Sequence, residues 1–174
     1  MKTRHSVRTY SDQPVEDEKI AAVLGAARLA PSARNSQPWR YIVVKDRETI
    51  AKLSDSGRLN SWIKSAPVVI VACADPKDDV KNNDMEYYLL AVGISMEHLV
   101  LMATELGLGT CWLAGYNEAK VRDVLGVPDR IKVVAMTPLG YPADKPSMRD
   151  MLTKSLARSK NRKSLEEIVR YEKW

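Results

Sequence analysis

The chain has 174 residues, of which 45% are hydrophobic, so we expect residues 1–174 to form a single domain around one core. Its formal net charge of +5 comes from 27 basic and 22 acidic residues that are interspersed, which indicates no nucleic-acid partner and suits a phosphorylated small ligand. Cys73 and Cys111 lie outside any CxxC motif or Cys/His cluster, so the sequence predicts neither a disulfide scaffold nor a zinc site.

The N-terminal residues 1–10 are polar and basic without an apolar run, so we expect no secretory signal and a location in the reducing cytoplasm. Arg4, Ser6 and Arg8 alternate, and in an extended segment all three would point to one side. Together they offer donors suited to a phosphate or a carbonyl-rich ring. Taken alone, a solvated basic N-terminus is the simpler interpretation.

The next part of the chain predicts one helix, two strands and a helical turn. Apolar residues recur at helical spacing over residues 15–30. Residues 39–44 are a short β-branched run typical of a strand, and residues 50–53 indicate a helical turn or two. Residues 68–72 are apolar without alternation, which predicts a strand that is covered on both faces and central in its sheet.

Between the first helix and the first strand lies a polar segment bounded by two prolines, residues 31–39. It packs hydroxyl, amide and indole groups into a short, rigid loop that can hydrogen-bond the edge of a planar heterocycle. An ordinary loop, in which serine and asparagine satisfy the local backbone, explains the same residues equally well.

Residues 84–106 predict one long helix, with Asp84 as its N-cap and Gly107 as its C-terminal stop. Apolar residues lie all round it, so the helix must be covered on nearly every face. In a domain of this size that predicts a second subunit, although a central core helix in a monomer is the simpler alternative. Glu97 and His98 interrupt a run too short for a bilayer, so we expect no membrane span, and we expect His98 to be buried and hydrogen-bonded.

The remaining elements are a short strand near residues 110–113, a helix over 118–125 ended by Gly126, a strand over 131–136 and a turn-rich stretch over 137–148. Mixed strands and helices in one domain predict an α/β sandwich layered around a mixed sheet. The glycines between Gly107 and Gly115 let backbone amides approach a ligand closely. They do not form a dinucleotide fingerprint, because Gly107 closes a helix where that motif opens one.

Five segments together resemble the nitroreductase family of flavoproteins, in the family's order and spacing. These segments are Arg4-His5-Ser6-Val7-Arg8, the loop over residues 31–39, residues 106–112, Leu139-Gly140-Tyr141-Pro142, and residues 162–169. The resemblance implies an α+β fold: a three-layer α/β/α sandwich with a mixed, mainly antiparallel central sheet. It also implies a homodimer with one FMN in each of two sites at the subunit interface.

The resemblance assigns the FMN contacts residue by residue. The predicted set is Arg4, His5, Ser6, Arg8, Pro31, Ser32, Ala33, Asn35, Gln37, Trp112, Leu113, Ala114, Gly115, Lys160 and Arg162. Within it, Arg4, Ser6 and Arg162, helped by Lys160, would hold the phosphate, and Arg8 would lie near N1 and the C2 oxygen of the flavin. Ser32, Asn35 and Gln37 would come from the other subunit. The backbone amides of residues 113–115 would face N5 and O4.

The activity implied by the resemblance is that of an NAD(P)H-dependent oxidoreductase that passes hydride through flavin N5 to nitroaromatics, quinones or related small acceptors in a ping-pong cycle. We therefore expect no catalytic side chain and no metal, because the cofactor carries the redox chemistry. Two alternatives stay open: other flavin chemistry on the same fold, such as dehydrogenation or flavin fragmentation, and a cofactor-free basic binding module. The sequence assigns no role to Cys111 or to the stretch from Asn60 to Lys64.

Overall fold

The computed structural model describes residues 3–145 and 162–174. Its strands are β1 (Trp39–Val44), β2 (Val68–Ala74), β3 (Lys81–Asn82), β4 (Met85–Glu86), β5 (Gly109–Thr110) and β6 (Lys132–Gly140). Its α-helices are α1 (Asp17–Arg28), α2 (Arg47–Ser54), α3 (Tyr87–Glu105), α4 (Glu118–Leu125) and α5 (Leu165–Ile168). Short 3₁₀ turns cover Ala33–Asn35, Ser61–Ser65 and Pro76–Asp78.

Four strands form one sheet in the order β1-β2-β6-β5, and each neighbouring pair is antiparallel. A parallel contact is made by one isolated bridge, between Ser6 and Thr110. The predicted mixed, mainly antiparallel sheet is therefore antiparallel in its named strands, and its mixed character depends on the N-terminal segment. As predicted, β2 is an inner strand, and every one of its residues is buried.

The side chains of β2 explain why the fold has three layers. The alternate residues from Val68 to Ala74 pack with α1 and α3. Val69, Val71 and Cys73 pack with α2 and α4 on the other face. Full burial of each valine or isoleucine stabilises the fold by about 1.5–3 kcal/mol. The predicted α/β/α sandwich of the α+β class is confirmed.

Several helix boundaries follow local signals in the sequence. The side chain of Asn117 accepts the Lys120 amide at the start of α4, and Gly126 ends that helix at φ 64°. Gly107, at φ 75°, ends α3, because an αL residue lets the final amides turn back to helix carbonyls. Both stops agree with the sequence prediction.

Two predictions near these helices are wrong. Asp84 does not cap α3: at φ 60° it follows Asn83 in the two-residue turn of the β3–β4 hairpin, and α3 begins at Tyr87. The stretch after Met136 is not a turn, because β6 continues to Gly140 by pairing with β2 and β5. The sequence signals were local, whereas both outcomes depend on pairing between strands.

Helix α3 is long and apolar enough to cross a membrane by length and composition alone. It packs against α1 and the sheet through residues such as Val92, Met96 and Leu99, which identifies it as the core helix of this domain. Leu90 is 51% exposed, so one chain does not cover the helix on every side. His98 is half-buried in a surface groove and forms no hydrogen bond among the described residues, contrary to prediction.

The described C-terminal residues carry a short helix and four exposed large apolar side chains. Ser164 and Glu167 form a capping box at the start of α5. The exposed side chains are Leu165, Ile168, Tyr171 and Trp174. This segment therefore presents apolar surface that the chain itself leaves uncovered.

Candidate functional site

The N-terminal segment lies along β5. The Val7 amide donates to the Thr110 carbonyl at 2.8 Å, and Ser6 bridges Thr110 in the parallel sense. Val7 is 5% exposed, so its neighbours Ser6 and Arg8 lie on the opposite side of the extended segment. Gly109 makes this approach possible, because a Cβ there would lie 2.7 Å from Val7 Cγ2.

Arg4 and His5 line a cavity of about 180 Å³ beside the turn at the end of α3. Gly107 and Gly109 form part of its wall, so little side-chain bulk separates a ligand from the backbone there. His5 is exposed, and its Nδ1 lies 3.0 Å from the Thr3 carbonyl oxygen. A guanidinium beside a glycine-lined cavity can hold a phosphate.

The loop after β5 returns to the sheet at Leu113, which exchanges both backbone hydrogen bonds with Met136, at 2.8 and 3.0 Å. The predicted role of the Leu113 amide at a flavin is therefore wrong, because this amide donates within the sheet. The Leu113 carbonyl also points to β6, and a trans peptide is planar, so the Ala114 amide points away from the sheet. Ala114 is exposed, and its amide donates no hydrogen bond within the described parts of the chain.

Gly115 is the centre of a tight turn. The Tyr116 amide donates to the Ala114 carbonyl at 3.1 Å, and the Gly115 carbonyl accepts from Asn60 Nδ2 at 2.9 Å. Tyr116 anchors the end of the turn, because its hydroxyl donates to the Val133 carbonyl. Burial and the nearby Glu118 carboxylate raise the pKa of the Tyr116 hydroxyl, so it stays a neutral donor.

Trp112 precedes this turn with its side chain 42% exposed. The adjacent Cys111 is buried, and its backbone amide donates to the Thr137 hydroxyl at 3.2 Å. The indole is thus available to a ligand, whereas the thiol lies inside the protein. This arrangement gives Cys111 a packing position beside the site.

The loop over residues 31–37 is closed and strained. Ser32 Oγ accepts the Gln37 amide at 2.9 Å, and Gln37 Nε2 donates to the Asn35 carbonyl at 3.2 Å. Arg34, Asn35 and Gln37 all have positive φ, between 48° and 57°, in a region that residues other than glycine rarely adopt. Such strain is concentrated at functional sites, where the surrounding structure maintains it.

A second cavity, of about 220 Å³, is lined by Pro31, Ser32 and Ala33 and by the first half of α3. Its wall is mainly apolar, with Leu90 and Ile94 facing the loop. It shares no residue with the cavity that Arg4 lines. The two cavities are therefore lined by different predicted site residues: Arg4 and His5 line one, and Pro31, Ser32 and Ala33 line the other.

Two predicted phosphate ligands lie near the chain's C-terminus. Arg162 is exposed at the start of the described C-terminal segment. Lys160 lies outside the described residues. The predicted contacts of these two side chains with a phosphate stay predictions.

Sequence reasoning missed three residues that shape the candidate site. Asn60 holds the Gly115 carbonyl, and Gly57 leaves room for that contact. Arg40 donates to the carbonyls of Gln37 and Trp39 and to the Asp78 carboxylate, and so fixes the end of the strained loop. A buried asparagine in an irregular loop produces no periodic pattern in the sequence. The only sequence signal at Arg40 is a charged residue within an otherwise apolar strand.

Two features of the described residues bear on covalent and metal chemistry. Within residues 3–145 and 162–174, no three His, Cys, Asp or Glu side chains group to hold a metal ion. Burial, with a smaller effect of Glu118, raises the pKa of the Cys73 thiol to about 11, so it is not a thiolate near neutral pH.

The sequence matches the family model described as the nitroreductase family over residues 1–58 and 54–141. A protein of Archaeoglobus fulgidus, provisionally named an NADH dehydrogenase/NAD(P)H nitroreductase, is 41% identical over 146 residues, covering 82% of this chain and 83% of that protein. The solved structure of a nitroreductase family protein of Clostridium difficile 630 superposes with a TM-score of 0.83 at 32% identity, covering 99% of this chain and 96% of the other. An FMN-dependent nitroreductase of Clostridium difficile R20291 gives a TM-score of 0.80 at 29% identity, over 99% and 97% of the two chains.

Proposed function

We propose that this chain works as a homodimer with one FMN at each of two interfacial sites. The chain belongs to the nitroreductase family, and it is an FMN- and NAD(P)H-dependent oxidoreductase. Bound FMN would supply the redox chemistry, a transfer of hydride through N5 from NADH or NADPH to a nitroaromatic, quinone or related acceptor. The protein binds and orients the reactants. The observation that carries this proposal is the hydrogen bond from Val7 to Thr110, because it joins the N-terminal segment, with Arg4 and Arg8, to the strand that leads into the loop with the outward-pointing amide.

The phosphate is held at the N-terminal segment. Arg4 beside the glycine-lined cavity and the Ser6 hydroxyl offer charge-assisted and neutral hydrogen bonds of the kind that phosphates accept. Arg162 and Lys160 add positive charge from the C-terminal part of the chain. The donor set fits a phosphate monoester, which carries a charge of about −1.5 to −2 near neutral pH.

The ring is held by its edges. Arg8, two residues beyond Ser6 on the same side of the segment, would hold the edge of the ring that carries N1 and the C2 oxygen, where a cation stabilises negative charge. The Ala114 amide, which points away from the sheet, and the Gly115 amide would donate to the edge that carries N5 and O4. These donors are fixed before the cofactor binds, so little reorganisation accompanies the reaction.

The second subunit completes the site. Pro31, Ser32 and Ala33 line a different cavity from Arg4 in one chain, which supports the placement of the loop over residues 31–37 at the flavin of the partner. Half-exposed Leu90 on α3 and the exposed apolar side chains after Ser164 supply the surface that a second copy would cover. This arrangement explains why the apolar residues of α3 exceed what one chain buries.

The substrate class follows from the open face of the ring. The chain between Gly115 and β6 holds only α4 and short turns, so no additional helix from that stretch narrows the approach to the flavin. Flat, electron-poor acceptors can therefore stack where the nicotinamide stacked before. Trp112, whose indole is exposed, directly precedes residues 113–115 in the same loop.

The test is to follow the absorbance of the purified protein under anaerobic conditions. We expect a yellow protein that bleaches on addition of NADH or NADPH and regains its colour with a quinone or nitroaromatic. A yellow protein that neither nicotinamide reduces would favour other flavin chemistry on this fold. A colourless protein that takes up no FMN, yet binds polyanions with steep salt dependence, would favour a basic binding module. Light scattering should give two chains per particle, and a monomer that holds FMN would contradict the interfacial site.

A further inference from the structure

We infer that Asn60 is a positioning residue: it holds the Gly115 carbonyl and thereby fixes the direction of the Gly115 amide, which faces the cofactor beside the Ala114 amide. The inference rests on the proposed function and assigns a role to a stretch that the sequence left without one. Asn60 is 5% exposed, and its Nδ2 donates to the Gly115 carbonyl at 2.9 Å across 55 residues of chain.

The backbone around the hydrogen bond between Asn60 and Gly115 leaves room for it and supports it. A Cβ at Gly57 would lie 2.2 Å from Asn60 Nδ2 and 2.5 Å from the Gly115 oxygen, so glycine is needed at this position. The Ser56 carbonyl accepts the Asn117 amide at 2.8 Å. The segment over residues 56–60 therefore forms hydrogen bonds with the chain at two points, one on each side of Tyr116.

These contacts determine where the Gly115 amide points. The peptide after Gly115 is fixed at its carbonyl by Asn60 and at its N–H by the Ala114 carbonyl. The peptide after Ala114 has its carbonyl committed to Tyr116, so its own N–H, that of Gly115, points the opposite way. Without Asn60, the peptide after Gly115 keeps only the strained bond of a three-residue turn and can rotate.

The consequence for the cofactor differs between its two redox states. Oriented amides interact more strongly with the edge of the ring when it carries negative charge, as it does after reduction. Loss of Asn60 should therefore weaken FMN binding and also lower the midpoint potential of the bound flavin. A residue that contributed only to folding would change neither quantity.

The experiment compares Asn60→Asp with the wild-type full chain. The substitution preserves shape but replaces the donor with an oxygen that faces the Gly115 carbonyl. We expect the FMN dissociation constant, measured by quenching of flavin fluorescence, to rise about tenfold, the equivalent of one net hydrogen bond. The midpoint potential, measured against a reference dye, should fall. If Asn60→Asp does not fold, Asn60→Ala is measured by the same two readouts.

Ser95→Ala is the matched control. Ser95 is fully buried on the other side of the sheet, and its hydroxyl donates to the Ala27 carbonyl at 2.7 Å. It should lower the free energy of unfolding while leaving FMN affinity and midpoint potential unchanged. Wild-type affinity and potential in the folded Asn60 variant would overturn the positioning role alone. A wild-type chain that takes up no FMN would overturn the proposed function, and this inference with it.

Discussion

Ser32 and Gln37 are joined across their loop by one hydrogen bond, in which the Gln37 amide donates to Ser32 Oγ at 2.9 Å. Within the span that this bond closes, Arg34, Asn35 and Gln37 all have positive φ. A left-handed conformation costs a residue other than glycine roughly 1–2 kcal/mol. The Ser32 hydroxyl thus maintains a strained backbone, and the loop's shape depends on it.

Ser32→Ala should destabilise the FMN-free protein by about 1 kcal/mol, because the Gln37 amide loses its hydrogen-bond partner. It should also weaken FMN binding, since the loop no longer holds its shape. Urea unfolding and a fluorescence titration measure the two effects. Ser36→Ala is the control on the same loop: the buried Ser36 hydroxyl has no hydrogen-bond partner among the described residues, so its loss should not reduce stability. Equal destabilisation by the two variants would contradict the role of Ser32.

Gly109→Ala should detach the N-terminal segment from β5. The new Cβ would lie 2.7 Å from Val7 Cγ2, and overpacking of this kind costs about 1–3 kcal/mol. FMN affinity should fall as well, because the segment carries Arg4, Ser6 and Arg8. Gly25→Ala, in α1 with no atom within 4 Å of its new Cβ, should instead stabilise the protein by about 0.5–1 kcal/mol and leave FMN affinity unchanged. Wild-type stability in Gly109→Ala would show that Val7 can move aside.

Much of this fold could be predicted from the sequence, because its signals are local. The bounds of β1 and α4 follow from an apolar run and from a cap and a glycine, and the buried run of β2 marks an inner strand. What could not be predicted depends on pairing at a distance. Pro138 reads as a strand breaker, yet it lies within β6, paired in register with Val69.

The candidate site likewise combines residues that could be predicted from the sequence with contacts that depend on pairing at a distance. Alternation in an extended segment puts Arg4, Ser6 and Arg8 on one side, but it was the family resemblance that selected them as FMN contacts. Val7 is buried between Ser6 and Arg8, as the alternation requires. The direction of the Leu113 amide could not be predicted, because it depends on the register between the loop and β6. Nor could the contact of Asn60 with Gly115, which joins residues 55 apart through a single bond.

Asp84→Gly should stabilise the protein by about 0.5–1 kcal/mol, because residues 83 and 84 form a two-residue hairpin turn with positive φ at both positions. Relief of a left-handed strain of about 1–2 kcal/mol exceeds the entropic cost of glycine, which is about 0.5–1 kcal/mol. Glycine is favoured at the second position of such a turn. If Asp84 instead capped α3, the same change would cost a few tenths of a kcal/mol. The sign of the change in the free energy of unfolding therefore decides between hairpin turn and cap.

Alkaline pH should destabilise the protein partly through Cys73. Burial raises the pKa of this thiol from 9.0 to about 11, so the folded chain holds the proton more tightly than the unfolded chain does. Stability from the neutral thiol is fully present below pH 9 and is lost as the pH rises towards 11, with a slope of at most about 1.4 kcal/mol per pH unit. The slope should be shallower in Cys73→Ala, whereas the buried tyrosines titrate alike in both proteins. Parallel curves from pH 8 to 11 would contradict the shifted pKa of Cys73.

Arg162→Ala should weaken FMN retention by about 1.5–3 kcal/mol, through loss of a charge-assisted contact with the phosphate. Arg170→Ala is the matched control, because Arg170 lies in the same exposed segment but donates to the carbonyls of Glu166 and Val169. It removes the same charge, so a general electrostatic effect would weaken binding equally in both variants. Riboflavin, which lacks the phosphate, should bind wild-type and Arg162→Ala protein alike. A loss of riboflavin affinity in Arg162→Ala would move this arginine from the phosphate to the ring or to the subunit contact.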